Sequence, residues 1–206
     1  MTNPVSQTDR ARNINLWKDA EVYVSHDDTA QVNADGTFDP ETWSFVGLLN
    51  AGSPIGQDPD ITRNDIQSFG GVLQIKDTKF NKDVRTFDAL EDNETVFELM
   101  WPGSEFVPNG SGVIVAPLTD AEVIIAFKTE NSYGDIYVDV SRRKASVYPS
   151  ARDKNDDGAS TTQFTADVMK DDEGGLYDYL RLRNDGTTPE VAPEVIRIKA
   201  AAPESP

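Results

Sequence analysis

The sequence predicts an all-β protein, a β-sandwich or barrel with one flanking α-helix, an extended N-terminal arm and one long loop. Three observations support this fold class. Segments with alternating apolar and polar residues recur along the 206-residue chain, which is the period of a half-buried strand. Turn pairs such as Asn109-Gly110 and Tyr133-Gly134 separate these segments, as in sandwiches and barrels. Only residues 89–101 have apolar side chains at steps of three, four and seven, which is the spacing of one helical face.

The chain is strongly acidic and contains no cysteine. It has 19 Lys and Arg residues against 36 Asp and Glu residues, so its formal charge is −17 and its pI is about 4.3. Such a chain is not expected to wrap nucleic acid, because neutralising phosphates requires a basic surface. Without cysteine, disulfides, thiol nucleophiles and Cys-ligated metals are excluded. The sequence shows no signal-like or membrane-spanning apolar run, so we expect a soluble protein made in a cytoplasm.

The N-terminal half predicts an arm followed by strands. Residues 1–15 are polar with scattered apolar side chains, and predict an arm that orders only when it docks. Strands are expected at 16–24 and 43–50, and the second has an aromatic face that includes Trp43 and Phe45.

Residues 51–64 predict a long loop. They contain four turn-forming residues and few large apolar side chains, with no periodic pattern. A loop of this length within a compact domain is typically functional, so the segment is a candidate contact surface. Residues 71–87, after it, predict two strands or one long bent hairpin.

The helix is expected over 89–101, where acidic residues favour its start and Pro102 with Gly103 ends it. Five later segments have strand patterns. They are 113–115, 122–129, 136–147, 161–169 and 176–182. Residues 184–206 contain four prolines around the apolar stretch 195–198, and predict a tail with at most one edge strand. The expected organisation is therefore an arm at 1–15, a β domain at 16–183 and a tail at 184–206.

No group of residues predicts catalysis. The single histidine, His26, lies beside Asp27 and Asp28 in a turn-like stretch. A catalytic dyad or metal ligand is conceivable there, but a solvated loop histidine is favoured. The sequence contains no nucleophile elbow, phosphate-binding glycine loop or zincin helix. We therefore expect no enzyme, no catalytic residue, no cofactor and no metal site.

A calcium-binding reading of residues 153–158 is also disfavoured. Asp153, Asn155, Asp157 and Gly158 match the first half of an EF-hand loop. The twelfth position is Phe164 instead of the bidentate Glu that closes such a cage, so a hairpin tip is favoured over a weak site for a hard cation.

The compact basic cluster at 142–144 has two interpretations. Its side chains are Arg142, Arg143 and Lys144, and most such clusters are solvated or paired within their own chain. The functional alternative is an interface patch that meets an acidic neighbouring subunit.

An ordered set of short motifs indicates a family. In chain order these are Trp43-Ser44-Phe45-Val46-Gly47-Leu48-Leu49, Gly52–Gly56, Asp65-Ile66, Arg85-Thr86-Phe87, Leu90-Glu91-Asp92-Asn93-Glu94 and Trp101-Pro102-Gly103-Ser104. In this combination, over about residues 43–174, the chain resembles the major tail proteins of long non-contractile-tailed phages that infect actinobacteria. The resemblance implies a tail-tube-type β-sandwich whose hexameric rings stack into the tube that conducts genomic DNA. The C-terminal segment is too short for the immunoglobulin-like decoration domain of some relatives.

The resemblance also implies partners and a location. The partners would be other copies of the chain, a tape measure protein, and tail terminator and baseplate proteins. Double-stranded DNA would pass through the lumen without specific binding, because an acidic bore repels phosphate. The protein would reside in the virion tail after assembly in the host cytoplasm.

Two sets of residues are candidates for these roles. Strand alternation places three acidic residues opposite the apolar side chains of their strands, which makes them candidates to line the lumen or an ordinary solvent face. They are Asp135, Asp139 and Asp167. The candidates for contacts between rings lie in the long loop, and the arm and tail are expected to join them. They are Gly52, Pro54, Ile55, Gly56, Asp58 and Pro59.

A different class of function stays open. Trp17, Trp43, Trp101 and the turn at 153–158 are compatible with a monomeric β-sandwich module that binds carbohydrate or calcium.

Overall fold

A computed structural model of the chain describes residues 16–53, 55–67, 69, 71, 73–107, 111–154, 156, 158–184 and 189–191. The expected arm at 1–15 and the apolar stretch 195–198 lie outside these residues. The described residues form mostly β-strands and one short helix, so the all-β prediction with one helix is confirmed. The elements are β1 (Trp17–Ser25), β2 (Ser44–Phe45), β3 (Gly56–Gln67), β4 (Leu73–Ala89), α1 (Glu94–Met100), β5 (Glu105–Val107), β6 (Ser111–Val113), β7 (Ala121–Asn131), β8 (Ile136–Ser141), β9 (Ala145–Asp153), β10 (Thr161–Val168), β11 (Tyr177–Asn184) and β12 (Pro189–Val191).

Ten strands form one continuous antiparallel sheet that we divide into two layers. Layer A has the order β12-β11-β8-β7-β1-β2, and layer B has the order β9-β10-β4-β3. Strand β7 joins the layers, because its first residues pair with β9 and the rest pair with β8 and β1. Strands β5 and β6 form a separate two-stranded hairpin.

Strands β8 and β9 run in line along the same neighbour. Ala126 of β7 pairs with Val140, and Val123 pairs with Ala145. Ala126 and Val123 are three residues apart on β7, whereas their partners Val140 and Ala145 are five residues apart. The chain between β8 and β9 therefore contains two extra residues, which are accommodated at 142–144. Such an irregularity lets a strand turn a corner between packed sheets. The strand predicted at 136–147 is present, but it is divided at this corner.

The core fills the space between the layers. Phe87 of β4 and Phe164 of β10 stack with ring centroids 5.3 Å apart, facing Phe127 of β7. Strand β7 is buried on both faces, because layer B covers one face and Trp43 packs with Ile124 and its neighbours on the other. Burial of this much apolar side chain is the main force that holds the two layers together.

Helix α1 begins later than the sequence pattern predicts. Asn93 caps it, with its side chain accepting a hydrogen bond from the Val96 backbone N–H at 2.9 Å. The predicted start at Ala89 is wrong because Ala89 still belongs to β4 and pairs with Thr162 of β10. Val96, Leu99 and Met100 form the buried face of the helix. Pairing with an existing sheet thus overrides a helical spacing over 89–93.

Several other element boundaries differ from the predictions. Of the strand expected at 43–50, only Ser44–Phe45 and a bridge from Leu49 to Ala89 form. The strand expected at 113–115 is replaced by the β5–β6 hairpin, which ends at Val113. In the tail, residues 189–191 form β12 beside β11, while the apolar stretch 195–198, where an edge strand was expected, lies outside the described residues. Strands β7, β10 and β11 fall within two residues of the predicted bounds.

Candidate functional site

The predicted long loop is wrong over 56–64, because these residues belong to β3. Strand β3 pairs with β4 from Gly56–Thr86 out to Gln67–Leu73, with register shifts on both sides of the outer part. Strand β10 pairs with β4 only as far as Asp83, so the hairpin projects beyond layer B. We call residues 60–82 the arm from here on; they are distinct from the N-terminal arm expected at residues 1–15. The polar sequence of β3 shows no alternation of apolar residues, so no strand was predicted there. The strand forms because its backbone pairs with β4.

The side chains of the arm are mostly exposed on both of its faces. Residues 62–67 and 76–79 are exposed throughout. Side-chain contacts at the base, such as the hydrogen bonds from Asn81 Nδ2 to Thr62 Oγ1 and Asp60 Oδ1, brace it. Little apolar surface is buried by the side chains of the arm that are described, so backbone pairing is the main contact that orders this part of it.

The candidates for ring-to-ring contact are divided between this hairpin and the turn before it. Gly52 is exposed in a turn, and Ile55 is partly buried against the core. Asp58 and Pro59 are exposed in β3, and Pro59 is tolerated there because β3 is an edge strand. Gly56 leaves room for Thr86, since a Cβ at position 56 would collide with Thr86 Oγ1. Pro54 lies outside the described residues.

Asp135 is not a surface residue, so its placement in a lumen is wrong for this chain. Its side chain is fully buried and accepts a hydrogen bond from the Asn184 backbone N–H at 2.9 Å. It also contacts Asn131 Nδ2 at 3.4 Å. Asp135 therefore fastens the β7–β8 turn to the end of β11. Strand alternation missed this because Asp135 precedes β8 and belongs to the turn.

Asp139 faces the space between the layers instead of an outer surface, so the expectation of an outward face is also wrong here. The guanidinium Nη2 of Arg85 lies 3.0 Å from Asp139 Oδ2, which joins β4 of layer B to β8 of layer A. Burial raises the pKa of the Asp139 carboxyl, and Arg85 partly opposes that rise. The alternation correctly placed Asp139 opposite Val138, but both faces of β8 are covered.

The polar network around Arg85 continues on layer B and β11. Asp83 Oδ2 accepts hydrogen bonds from Gln57 Nε2 at 2.8 Å and from the Tyr177 hydroxyl at 2.7 Å. Arg85 lies over the rings of Phe127 and Tyr177, at 5.0 and 4.9 Å from their centroids. Burial, followed by the hydrogen bond to Asp83, raises the pKa of Tyr177. Asp83 and Arg85 alternate with exposed or half-buried residues and lie on the same face of β4 as Phe87. This pattern in the sequence could have indicated buried charged groups here.

Asp167 is the one lumen candidate of the three that lies on an outer sheet face. It is opposite the buried Phe164, Ala166 and Val168 along β10, and its carboxylate pairs with Lys82. That hydrogen bond raises the pKa of the Lys82 ammonium group. The alternation argument is therefore sound for β10, which has only one face in the core.

Register places more acidic side chains beside Asp167 on the outer face of layer B. Asp58 and Asp167 both pair with Val84, and Asp167 pairs in turn with Ser146. Ser146 pairs with Glu122 of β7. This row of paired residues crosses β3, β4, β10, β9 and β7, and its acidic members are Asp58, Asp167 and Glu122. Asp60 lies two residues further along β3 on the same face. We call this surface the acidic face.

A groove of about 730 Å³ opens between the two layers where the arm begins. Gln57, Arg85 and Asp139 are among the polar residues that line it. Its walls are formed by aromatic and aliphatic side chains. These are Trp17, Phe45, Leu48, Leu49, Ile55, Phe127, Tyr137 and Tyr179. Concave sites with apolar walls and a few placed polar groups are typical ligand or partner sites.

The remaining charged candidates are engaged within the chain. His26 Nε2 lies 3.1 Å from Glu98 Oε1, and both side chains are more than half exposed. Arg142 contacts Asp171 at 2.9 Å, and Lys144 contacts Asp28 at 2.8 Å. The basic cluster at the layer-crossing corner is thus largely a paired face.

The turn at 153–158 connects β9 to β10 as the tip of a hairpin. Asn155 and Asp157, two of its potential ligands, lie outside the described residues. Among the residues that are described, no group of three or more His, Cys, Asp or Glu side chains is placed to hold a metal ion.

No protein-family model matches this chain. No curated protein matches it either. In the part of the chain that the structure describes, no helix combines the length and apolar character needed to span a membrane. The resemblance to tail proteins stays a prediction that rests on the sequence motifs.

Proposed function

We propose that this chain is the tube-forming major tail protein of a long non-contractile-tailed phage. Hexameric rings of the chain would stack into a tube through which genomic DNA passes during ejection. The observation that carries the proposal is the arm, a long hairpin that projects beyond layer B with most of its described side chains in solvent.

The arm exposes backbone as well as side chains. Among the described strands, β3 has a partner only on the β4 side, and β4 beyond Asp83 has a partner only on the β3 side. Unpaired N–H and C=O groups along a strand edge bind another strand readily, and monomeric proteins normally shield them. Pairing with the next copy satisfies these groups, and closure into a ring removes the free edges altogether.

The acidic face supports the second part of the proposal, passage of DNA. A ring of six copies would carry 6 × (−17) = −102 formal charges. With the acidic face turned to the bore, the carboxylates of Asp58, Asp60 and Glu122 would repel the phosphates of DNA, while that of Asp167 is paired with Lys82. DNA would then slide without the counterion release that holds it on basic proteins. This surface replaces Asp135 and Asp139 as the proposed lining.

The proposed surroundings follow from the resemblance. The chain would contact copies of itself, a tape measure protein, and tail terminator and baseplate proteins, and it would reside in the virion tail. Assembly would take place in the host cytoplasm. No step of this function requires a cofactor, a metal or catalysis.

The test compares the full chain with a variant that lacks the outer arm. Ile61 pairs with Phe80, so replacing residues 62–79 by Asn-Gly closes the hairpin with a two-residue turn. Negative-stain microscopy at increasing protein concentration and in moderate salt, which screens the repulsion between acidic copies, should show rings or tubes for the full chain. The shortened variant should unfold at the same urea concentration but remain monomeric. Equal assembly by both proteins, or a full chain that stays monomeric throughout, would contradict the proposal.

One observation favours a second candidate, a carbohydrate-binding module. The groove presents Trp17, Phe45 and Tyr179 near the polar groups of Asp139 and Gln57, an arrangement that suits stacking and hydrogen bonding to a sugar. This candidate predicts a monomer whose melting temperature rises with an oligosaccharide. Tubes whose formation is unaffected by sugars would exclude it.

A further inference from the structure

The end of the arm carries apolar side chains with nothing packed on them. Phe69 is fully exposed at the tip, and Ile66, close by in β3, is 57% exposed. A single exposed apolar side chain is common on protein surfaces, so Phe69 gains significance only from a receptor of matching shape and chemistry.

The groove is such a receptor, and it is also incompletely covered. Trp17 is 54% exposed and Leu48 is 64% exposed, and both lie along its walls. The ring of Trp17 is held edge-on against Tyr137 at 5.3 Å. The walls therefore offer exposed aromatic and aliphatic surface between the two layers.

The tip and the groove of one chain cannot meet. Gln57 and Arg85 place the groove at the base of the arm, and β3 and β4 stay paired out to Gln67 and Leu73. The eight steps from Pro59 to Gln67, at about 3.4 Å each, carry the tip roughly 27 Å away. A contact between tip and groove must therefore join two different copies.

Charge favours this contact between two otherwise repelling chains. Residues 61–80 contain three basic and two acidic side chains, so their net charge is +1, while the rest of the chain carries −18. The basic residues are Arg63, Lys76 and Lys79. The charged side chains that line the groove are Asp19, Glu21 and Asp139 against Lys18 and Arg85, so the lining carries a net charge of −1. The arm is thus a segment that can approach a second acidic copy without a large electrostatic cost.

We propose that the Phe69 tip of each copy inserts into the Trp17–Leu48 groove of a neighbouring copy. The inference rests on the proposed function and specifies its interface. Because donor and acceptor are different surfaces of the same chain, the contact is head-to-tail and propagates into a closed ring or a helical stack. A tip-to-tip contact would instead stop at a dimer.

Cross-linking tests this arrangement directly, because the chain has no cysteine of its own. The Phe69→Cys/Leu48→Cys double variant, assembled with a threefold excess of wild-type protein and treated with a short bismaleimide, should yield covalent dimers and higher species in denaturing gels. Phe69→Cys alone should yield none. Leu118→Cys/Leu48→Cys is the matched control, because Leu118 is equally exposed but is not on the arm. Links in the control equal to those in the test pair would overturn the proposal.

The cysteine substitutions could themselves weaken the docking, so a second variant tests the contact without cross-linking. Phe69→Ser should fold like wild type and should raise the protein concentration needed for assembly about ten- to a hundredfold, since one buried aromatic ring is lost per contact. Normal tube formation by Phe69→Ser, together with no cross-links in the Phe69→Cys/Leu48→Cys variant, would overturn the docking and leave the tube itself standing. Failure of the wild-type chain to assemble at all would overturn both.

Discussion

The guanidinium of Arg85 and the carboxylate of Asp139 lie 3.0 Å apart and join the two layers of the sandwich. The Arg85 side chain is 8% exposed and that of Asp139 is 29% exposed, so the pair sits at the boundary between the core and the groove. It fixes the separation of the layers at the point where the arm leaves the body. The same pair therefore bears on the stability of the monomer and on the shape of the groove.

Replacing Arg85 by Met should destabilise the protein by about 3 kcal/mol, because Asp83 and Asp139 lose their shared cation in a poorly solvated place. Urea unfolding at pH 7 measures the change. Arg63→Met on the exposed arm is the control and should change the free energy of unfolding by less than about 0.5 kcal/mol. Equal effects of the two substitutions would show that the buried network is not a structural clamp.

Stability should depend on pH through Asp139. Burial raises the pKa of this carboxyl above its ordinary value of 3.8, so the folded state binds its proton more tightly than the unfolded state. Its contribution to stability is therefore complete below about pH 3.8 and is lost as the pH rises through the native pKa. The free energy of unfolding of wild type minus that of Asp139→Asn should fall over this interval. A difference that rises with pH, in urea titrations from pH 3.5 to 7, would show that Arg85 outweighs burial.

Adding one methyl group at Gly56 should weaken the base of the arm. A Cβ there would collide with Thr86 Oγ1 of the paired strand, so Gly56→Ala should cost about 1–2 kcal/mol. Thr86→Ala removes the obstructing oxygen, and the double variant should recover more than half of the loss. Thermal unfolding of the four proteins gives the coupling energy. Additive effects would mean that the close approach of these two residues is not what requires glycine.

Reversing charge on the acidic face should make the tube bind DNA. Asp58→Lys/Asp60→Lys should retain double-stranded DNA at low salt and release it as salt increases, because phosphate contacts release counterions. The matched control is Asp156→Lys/Asp172→Lys, which makes the same change in net charge at exposed positions outside the face. DNA retention and ejection kinetics of assembled tubes would be compared. Similar behaviour of both variants would show that net charge, and not this surface, governs passage of DNA.

The sequence predicted the strands that have one face in the core and failed where pairing alone creates the strand. In β10, Phe164, Ala166 and Val168 are buried on one face, so alternation identified both the strand and the outward position of Asp167. Strand β3 has almost no apolar side chains, and it forms because β4 offers it an edge to pair with. No local pattern encodes that pairing.

The candidate site was predictable only in part for a similar reason. Asp139 was placed outside because alternation distinguishes two faces but cannot show that both faces of β8 are covered. Asp135 was placed outside because it was assigned to this strand, although it lies in the turn before it. The groove combines residues from β1, β4 and β8, which are far apart in the sequence and meet only through the order of strands. Phe69 lies between the predicted loop at 51–64 and the strand pattern at 71–87, so no sequence pattern singled out the tip.

Electron cryomicroscopy of the assembled protein is the most direct test of the central claim. We expect a hollow tube built by edge-to-edge continuation of layer B, with Asp58, Asp60 and Asp167 facing the bore and each arm lying on a neighbouring copy. A tube whose bore is lined by another, basic surface would contradict the account. So would a protein that shows no polymer at any concentration or salt.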